Sequence, residues 1–106
     1  MTSMSILDQS PIDTDETVRD GIARTVELAQ LADTENYTRY FVAEHHNIPE
    51  VAGTSPEILV THLLNQTKRI RVGSGGVMLQ HYSPFKVIEQ FHLISNIAPG
   101  RVDLGI

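Results

Sequence analysis

Short apolar runs alternate with longer amphipathic stretches along the 106 residues of the chain. Apolar residues recur at helical spacing between Val18 and Ala32, and two similar stretches follow after residues 55 and 83. The apolar runs between these stretches are rich in β-branched and aromatic residues and are bounded by Gly, Pro, Asn and Ser. They predict four strands, over residues 5–8, 40–43, 70–79 and 101–106. The predicted element order is therefore β-α-β-α-β-α-β.

Helix starts are indicated by polar caps and prolines. Asp13 and Glu16 have the spacing of a capping box, which predicts that the first helix begins there. Ser55-Pro56 and Ser83-Pro84 each place an N-cap before a proline at the first helical position. The apolar faces of the second and third helices are predicted at Ile58, Leu59, His62, Leu63 and Gln66, and at Val87, Ile88, Phe91 and Ile94.

Strands that alternate with helices indicate an α/β fold with parallel pairing and right-handed crossovers. Two architectures fit this order, an open doubly wound sheet and part of a closed TIM (β/α)₈ barrel. A complete barrel needs about 250 residues, so a barrel formed by this chain would be truncated. We expect residues 1–106 to form one partial barrel domain.

Composition and charge exclude several classes of protein. The formal net charge is −5 and no cluster of Lys and Arg is present, which argues against nucleic-acid binding. The absence of cysteine excludes disulfides and thiolate metal sites. No apolar run reaches the 18 or more residues of a membrane span, and the N-terminus lacks the features of a secretory signal. These features favour a cytoplasmic protein without membrane partners.

The motif Glu44-His45-His46 stands at the end of the second predicted strand, where parallel α/β folds build their sites. Successive strand residues point to opposite faces, so either Glu44 and His46 share a side or the strand has already ended. One interpretation is a buried, hydrogen-bonded histidine beside an exposed one; the other is a catalytic group. A metal site is disfavoured, because the sequence has no HxH or HExxH spacing and no third ligand.

The third predicted strand is rich in glycine, at Gly73, Gly75 and Gly76. The spacing matches neither a dinucleotide fingerprint nor a P-loop. Glycine inside a strand marks a bend, or a place where another group approaches the backbone closely. Barrel curvature and a large flat ligand explain the pattern equally well. Polar residues near other strand ends could line the same pocket, namely Asp8, Gln9 and His81.

Several segments together resemble the bacterial luciferase-like, flavin-dependent monooxygenases. The segment 41–47, FVAEHHN, is similar to the AEHH signature of that family. Three further segments match in order and spacing, and the opening LDQSP resembles a bacterial single-component-like subgroup. The three segments are Ser55-Pro56-Glu57, residues 69–79 and residues 99–106.

This resemblance implies an enzyme with a (β/α)₈ barrel. Family members bind reduced FMN, react it with O₂ to a flavin hydroperoxide, and oxygenate a small organic substrate such as an aldehyde. His45 corresponds to the family's catalytic histidine, and Glu44 is expected beside the flavin. Ser74, Gly75 and Gly76 fall on the segment that packs against the isoalloxazine ring, often with a non-prolyl cis peptide, here at Gly75-Gly76. No metal is implied.

The resemblance also bears on partners. A flavin reductase would supply reduced FMN, and a reduced deazaflavin is a further option for the hydride donor. A four-stranded piece of a barrel leaves two strand edges open, so we expect a homo-oligomer or association with the remainder of a barrel. The alternative function is a non-catalytic flavin-binding or self-assembling module.

Overall fold

A computed structural model describes residues 2–106 of the chain. It contains four strands, three α-helices and one short 3₁₀ helix in the predicted alternating order. In chain order the elements are β1 (Ser5–Asp8), α1 (Val18–Thr34), β2 (Arg39–Val42), α2 (Pro56–Gln66), β3 (Arg71–Ser74), the 3₁₀ helix (Leu79–His81), α3 (Pro84–Ile97) and β4 (Val102–Leu104). No helix within residues 2–106 is long and apolar enough to cross a membrane.

The four strands form one parallel sheet in the order β1-β2-β3-β4. The register places Leu7 beside Phe41, Phe41 beside Gly73, and Gly73 beside Asp103. A doubly wound sheet reverses its strand order at a switch point, whereas each strand here pairs with the next one in sequence. The order decides between the two predicted architectures in favour of four consecutive strands of a barrel with the three helices that connect them.

The core lies between the sheet and the three helices. Tyr40, Val42 and Val72 are fully buried on the helix-facing side of the strands, where residues of α2 and α3 pack against them. The opposite face of the sheet, which we call the open face, carries Leu7 with 60% of its surface exposed. In a closed barrel this open face lines the interior, so half a barrel leaves it uncovered.

The first helix begins later than predicted. Its N-cap is Thr17, and the capping box joins Thr17 to Asp20, so the prediction of a box at Asp13 and Glu16 was wrong. The Glu16 side chain does accept a hydrogen bond from the Asp13 backbone N–H, at 2.8 Å. That contact closes an isolated turn, in which the Glu16 N–H donates to the Asp13 carbonyl. The same cap spacing thus occurs twice, and only the second precedes a helix.

The predicted apolar faces of the other helices are confirmed in part. On α3 the residues Val87, Phe91 and Ile94 are buried as predicted, whereas the predicted Ile88 is 60% exposed. On α2 the buried residues include Val60 and Leu64 in addition to Leu63, and the predicted Ile58 is 68% exposed. Helix α2 has apolar residues on more than one side, so periodicity alone does not identify the side that packs on the sheet.

Strand β3 is shorter than predicted, and its glycine serves strand packing. A Cβ on Gly73 would lie 2.4 Å from the backbone oxygen of Asp103 in β4. No side chain fits at that distance, so Gly73 lets β3 and β4 approach each other. At this position the group that approaches the glycine closely is the backbone of the neighbouring strand.

The N-terminal end of the sheet carries two carboxylates, of Asp33 and Asp103, that each accept several hydrogen bonds. The Asp33 carboxylate accepts backbone N–H groups of residues 68, 69 and 70 at 2.7–3.0 Å. On the open face, the Asp103 carboxylate accepts hydrogen bonds from Arg71 at 2.8 and 3.0 Å and from Arg39 at 3.2 Å. Hydrogen bonds from Arg71 are the main reason that the pKa of Asp103 lies below its ordinary value.

Candidate functional site

A cavity of about 410 Å³ opens on the open face at the C-terminal ends of β1, β2 and β3. This is the edge at which β/α barrels carry their active sites. The cavity is lined by Leu7, Gln9, Ala43, Glu44, His45, Gly75, Gly76, Val77, Met78, Gln80 and Ile106. A second groove of about 490 Å³ lies outside the sheet between α2 and α3 and is mainly apolar. Only the first cavity brings together the residues of both sequence motifs.

His45 lies in the segment that follows β2, because the strand ends at Val42. Its backbone N–H donates to the Gly53 carbonyl at 2.8 Å, which fixes the position of the residue at the cavity. Its ring atom Nε2 is buried and has no hydrogen-bond partner among the described residues. Buried polar atoms are nearly always paired, so an unpaired imidazole nitrogen needs an explanation.

Glu44 and His46, the residues on either side of His45 in the chain, are hydrogen-bonded to each other. The Glu44 side chain has no exposed surface. Its Oε1 accepts the Met78 N–H at 3.0 Å, and its Oε2 accepts hydrogen bonds from His46 Nε2 and from the Tyr82 hydroxyl, each at 2.5 Å. Burial opposes ionisation, but the bonds from Tyr82, His46 and Met78 outweigh it and hold the pKa of Glu44 below its ordinary value.

Tyr82 is the residue that the sequence interpretation missed. Its hydroxyl donates to Glu44, and this hydrogen bond, with burial and the negative charge of Glu44, raises the pKa of Tyr82 to about 12. His81 packs edge-on against both neighbours, with ring centroids 5.5 Å from His46 and 6.2 Å from Tyr82. One signal was available: Tyr82 directly precedes the Ser83-Pro84 helix start, on the edge where the site was expected.

The Gly75-Gly76 peptide bond is cis, as the family resemblance implied for this position. Gly75 is exposed toward the cavity, and a Cβ placed on it would lie 3.1 Å from Phe41 Cβ and 3.4 Å from Leu7 Cδ1. The backbone at Gly75 therefore forms a surface without side chains, beside two apolar residues of the open face.

Ser74 does not join this surface. Its side chain is fully buried, and its hydroxyl donates to the Gly105 carbonyl at 2.9 Å and accepts from the Gly105 N–H at 3.0 Å. Residues along a strand alternate in direction, so Ser74 points away from the face that holds the cavity. The Ser74 hydroxyl is thus engaged with Gly105, and a contact of Ser74 with a cofactor stays a prediction.

Of the two polar residues at the end of β1, one lies at the cavity and the other does not. Gln9 lines the cavity. Asp8 points toward the helices, where its carboxylate accepts hydrogen bonds from the Ser10 N–H at 2.7 Å, the Thr25 hydroxyl at 2.9 Å and the Tyr40 hydroxyl. Burial, together with the bond to Asp8, raises the pKa of Tyr40. Asp8 is thus part of a buried polar network and lies outside the site.

Comparison with known proteins identifies related sequences over the whole chain. The family model for luciferase-like monooxygenases matches residues 2–106. The N-acetyl-S-alkylcysteine monooxygenase of Bacillus subtilis (strain 168) is 57% identical over 106 residues, which are 100% of this chain and 32% of that protein. A luciferase-like monooxygenase of Escherichia coli (strain K12) is 38% identical over 98% of this chain and 31% of its own length.

Solved structures agree with this relationship. The crystal structure of apo-MsnO8 superposes with a TM-score of 0.97 at 42% identity, over 100% of this chain and 32% of that one. The oxygenating constituent of 3,6-diketocamphane monooxygenase from Pseudomonas putida, in complex with FMN, gives a TM-score of 0.90 at 23% identity over 98% and 29%, which shows a shared fold. The chain spans about a third of the length of the curated relatives it matches. The chain belongs to the luciferase-like monooxygenase family.

Proposed function

We propose that this chain supplies the cofactor-facing part of a monooxygenase that uses reduced FMN and O₂ to oxygenate a small organic substrate. The observation that carries the proposal is the buried, unpartnered Nε2 of His45 beside the Gly75-Gly76 backbone. A flat ring system with hydrogen-bonding atoms at its edge would pack on the bare backbone and would pair with the imidazole nitrogen. The membership of the family supports the same reaction class.

The residues at the cavity fit a flavin. The backbone of Gly75 and Gly76 would lie against the ring, because neither residue has a side chain. A Cβ on Gly75 would contact Phe41 and Leu7 and would stand between the backbone and the ring. When bound, FMN would supply the oxygen chemistry. Within residues 2–106 no group of three or more His, Cys, Asp or Glu side chains is arranged to hold a metal ion.

His45 would move a proton at Nε2. An imidazole ring has one nitrogen that can donate a proton and one that can accept it, so it suits an acid or base role. Its backbone N–H is bonded to the Gly53 carbonyl, which holds the residue in place. Its ring atom Nε2 has no partner within residues 2–106 and is available to cofactor or substrate. Water must be kept from such a site, and the open face gives no cover on one side. The active form therefore needs the rest of a barrel.

We further propose that the remainder of a barrel, rather than a second copy of this chain, covers the open face. Two arginines, Arg39 and Arg71, share the single carboxylate of Asp103 there, which leaves this cluster with an excess positive charge. A second copy would bring another such cluster opposite the first, at a cost in repulsion. Covering strands that place a carboxylate opposite Arg39 and Arg71 would instead be attracted to this cluster.

Two substrate classes deserve the first test. One is the N-acetyl-S-alkylcysteines, because the relative that is 57% identical over the whole chain is named for them. The other is the aldehydes, to which the family resemblance points. A reduced deazaflavin should be compared with reduced FMN as the cofactor, and a separate flavin reductase would supply FMNH₂ in the cytoplasm.

The proposal is tested with the assembled barrel, reduced FMN and ¹⁸O₂. We expect one ¹⁸O atom in the product of one of the two substrate classes, and none when oxidised FMN replaces reduced FMN. A His92→Gln variant serves as the control, because His92 is exposed on α3 and distant from the cavity. Tight FMN binding without oxygenation of either class would favour the non-catalytic module, and failure to bind any flavin would refute the proposal.

A further inference from the structure

The Glu44 carboxylate, unlike the Nε2 atom of its neighbour His45, has hydrogen-bond partners within the chain. Both oxygens of its carboxylate are occupied, and its side chain has no exposed surface. A carboxylate without exposed surface and with three donors cannot also present an oxygen to a ligand in the cavity. The buried carboxylate of Glu44 therefore stabilises the protein segments around the cavity.

The three donors come from two separate segments of the chain. His46 follows His45 directly, whereas Met78 and Tyr82 lie 34 and 38 residues from Glu44, in the connection between β3 and α3. The Met78 N–H is donated from the segment that continues the Gly75-Gly76 backbone along the cavity. Glu44 thus joins the two segments that form the cavity, one bearing the imidazole and the other bearing the bare backbone.

We propose that Glu44, His46 and Tyr82 form a clamp that holds the Gly76–Met78 backbone at a fixed position relative to the His45 imidazole. They are positioning residues: the flavin contacts the backbone and His45, and the Glu44 carboxylate acts through them. The part of this inference that concerns flavin rests on the function proposed above. It also explains the motif, because Glu44 and the second histidine orient the site and the first histidine remains free for chemistry.

Tyr82 offers the sharpest test, because it belongs to the clamp and does not line the cavity. Tyr82→Phe removes one donor to Glu44 and leaves the cavity surface unchanged. Tyr37→Phe is the matched control, since Tyr37 lies at the opposite end of the sheet, where it packs on the core. In the assembled barrel we expect Tyr82→Phe to weaken FMN binding by about tenfold, the scale of one hydrogen bond to a charged group. The control should stay within about twofold.

A second measurement needs no flavin. Hydrogen exchange of the Met78 amide, followed in the assembled apo-protein, reports on its bond to Glu44. Glu44→Ala should speed this exchange by about tenfold or more, and Glu44→Gln, which keeps an acceptor oxygen, should restore part of the protection. If Glu44→Ala does not fold, Glu44→Gln and Tyr82→Phe still give the comparison.

The outcomes separate the clamp from the proposed function. Equal FMN affinities for wild type and Tyr82→Phe would overturn the clamp, as would equal losses in Tyr82→Phe and Tyr37→Phe, because a general loss of stability would then explain them. Unchanged Met78 exchange in the Glu44 variants would overturn it as well. If the wild type binds no flavin, the proposed function fails, and the Met78 exchange still decides whether Glu44 holds this backbone.

Discussion

The two ends of the parallel sheet differ in whether every buried polar side chain has a hydrogen-bond partner. At the N-terminal end, Asp33 accepts three backbone N–H groups and Asp103 is held between two arginines. At the C-terminal end, the imidazole of His45 has a buried nitrogen with no partner in the described chain. Gly75 beside it exposes bare backbone to the cavity.

This difference teaches where stability and chemistry are located. Buried polar groups that are fully paired fix the connections between elements, and an unpaired one is kept at a cost in stability. The fold therefore depends mainly on the N-terminal end, and a reaction depends on the C-terminal end. Asp8, Ser74 and Glu44 are also hydrogen-bonded at the end that carries the site, and of these three Glu44 alone lines the cavity. That position is what makes it a candidate for holding the site in shape.

The largest expected effect comes from His45. In the assembled barrel, His45→Gln should lower the rate of oxygenation by about 10²–10³-fold, the scale of a lost general acid or base. Its melting temperature should stay close to that of the wild type, because Nε2 makes no hydrogen bond within residues 2–106. Steady-state kinetics and a thermal melt check the two statements. A variant that loses stability and activity together would show that the contrast between the two ends is wrong.

Two glycines of the same segment give an intermediate effect. Gly73→Ala should destabilise the fold by about 1–3 kcal/mol, because its Cβ would lie 2.4 Å from the backbone oxygen of Asp103. Gly75→Ala should cost less stability, since its nearest neighbour is the Phe41 side chain at 3.1 Å, and should weaken FMN binding instead. Urea unfolding and flavin titration of both variants test this separation. Reversed effects would place the flavin surface elsewhere.

The smallest effect concerns Asp33 and acid. Burial opposes ionisation of Asp33, but hydrogen bonds from the backbone N–H groups of Lys68, Ile70 and Arg69 hold its pKa below the ordinary value. A carboxylate with a lowered pKa in the folded state binds fewer protons there than in the unfolded state. Its contribution is therefore complete at neutral pH and is lost as the pH falls below about 4.

Urea unfolding of wild type and Asp33→Asn between pH 2 and pH 7 measures this contribution. The difference in stability between the two proteins should shrink as the pH falls. An Asp15→Asn variant is the control, because Asp15 is exposed, and its difference from wild type should stay near zero throughout. A difference for Asp33→Asn that is constant with pH would contradict the assigned role of the charge.

Much of the fold could be predicted from the alternation of apolar patterns. The bounds of β1 and the proline starts of α2 and α3 were predicted correctly. The start of α1 was not, because two cap-like spacings occur in succession and only the one at Thr17 is followed by helix. Strand β3 ended earlier than its apolar run, at Ser74, and the residues that follow it line the cavity.

Most residues of the candidate site could be predicted from the sequence, whereas the hydrogen bonds between them could not. The motif at Glu44 and His45 and the glycines were visible in the sequence, and they line one cavity. The orientation of Ser74 and the bond from Tyr82 to Glu44 were not visible. Strand alternation could have indicated the first, had the start of the strand been known. The second joins residues 38 positions apart, and no local pattern encodes it.

The sequence by itself determined the order of elements, the family and the residue types that gather at one edge of the sheet. These follow from local periodicity, turn residues and short motifs, all of which act over a few positions. Only the tertiary structure decided which polar groups are paired and which remain free. Pairing depends on distances between segments that meet through the sheet, such as the 2.5 Å between Tyr82 and Glu44. A carboxylate and an imidazole that are adjacent in the chain thereby acquire opposite roles.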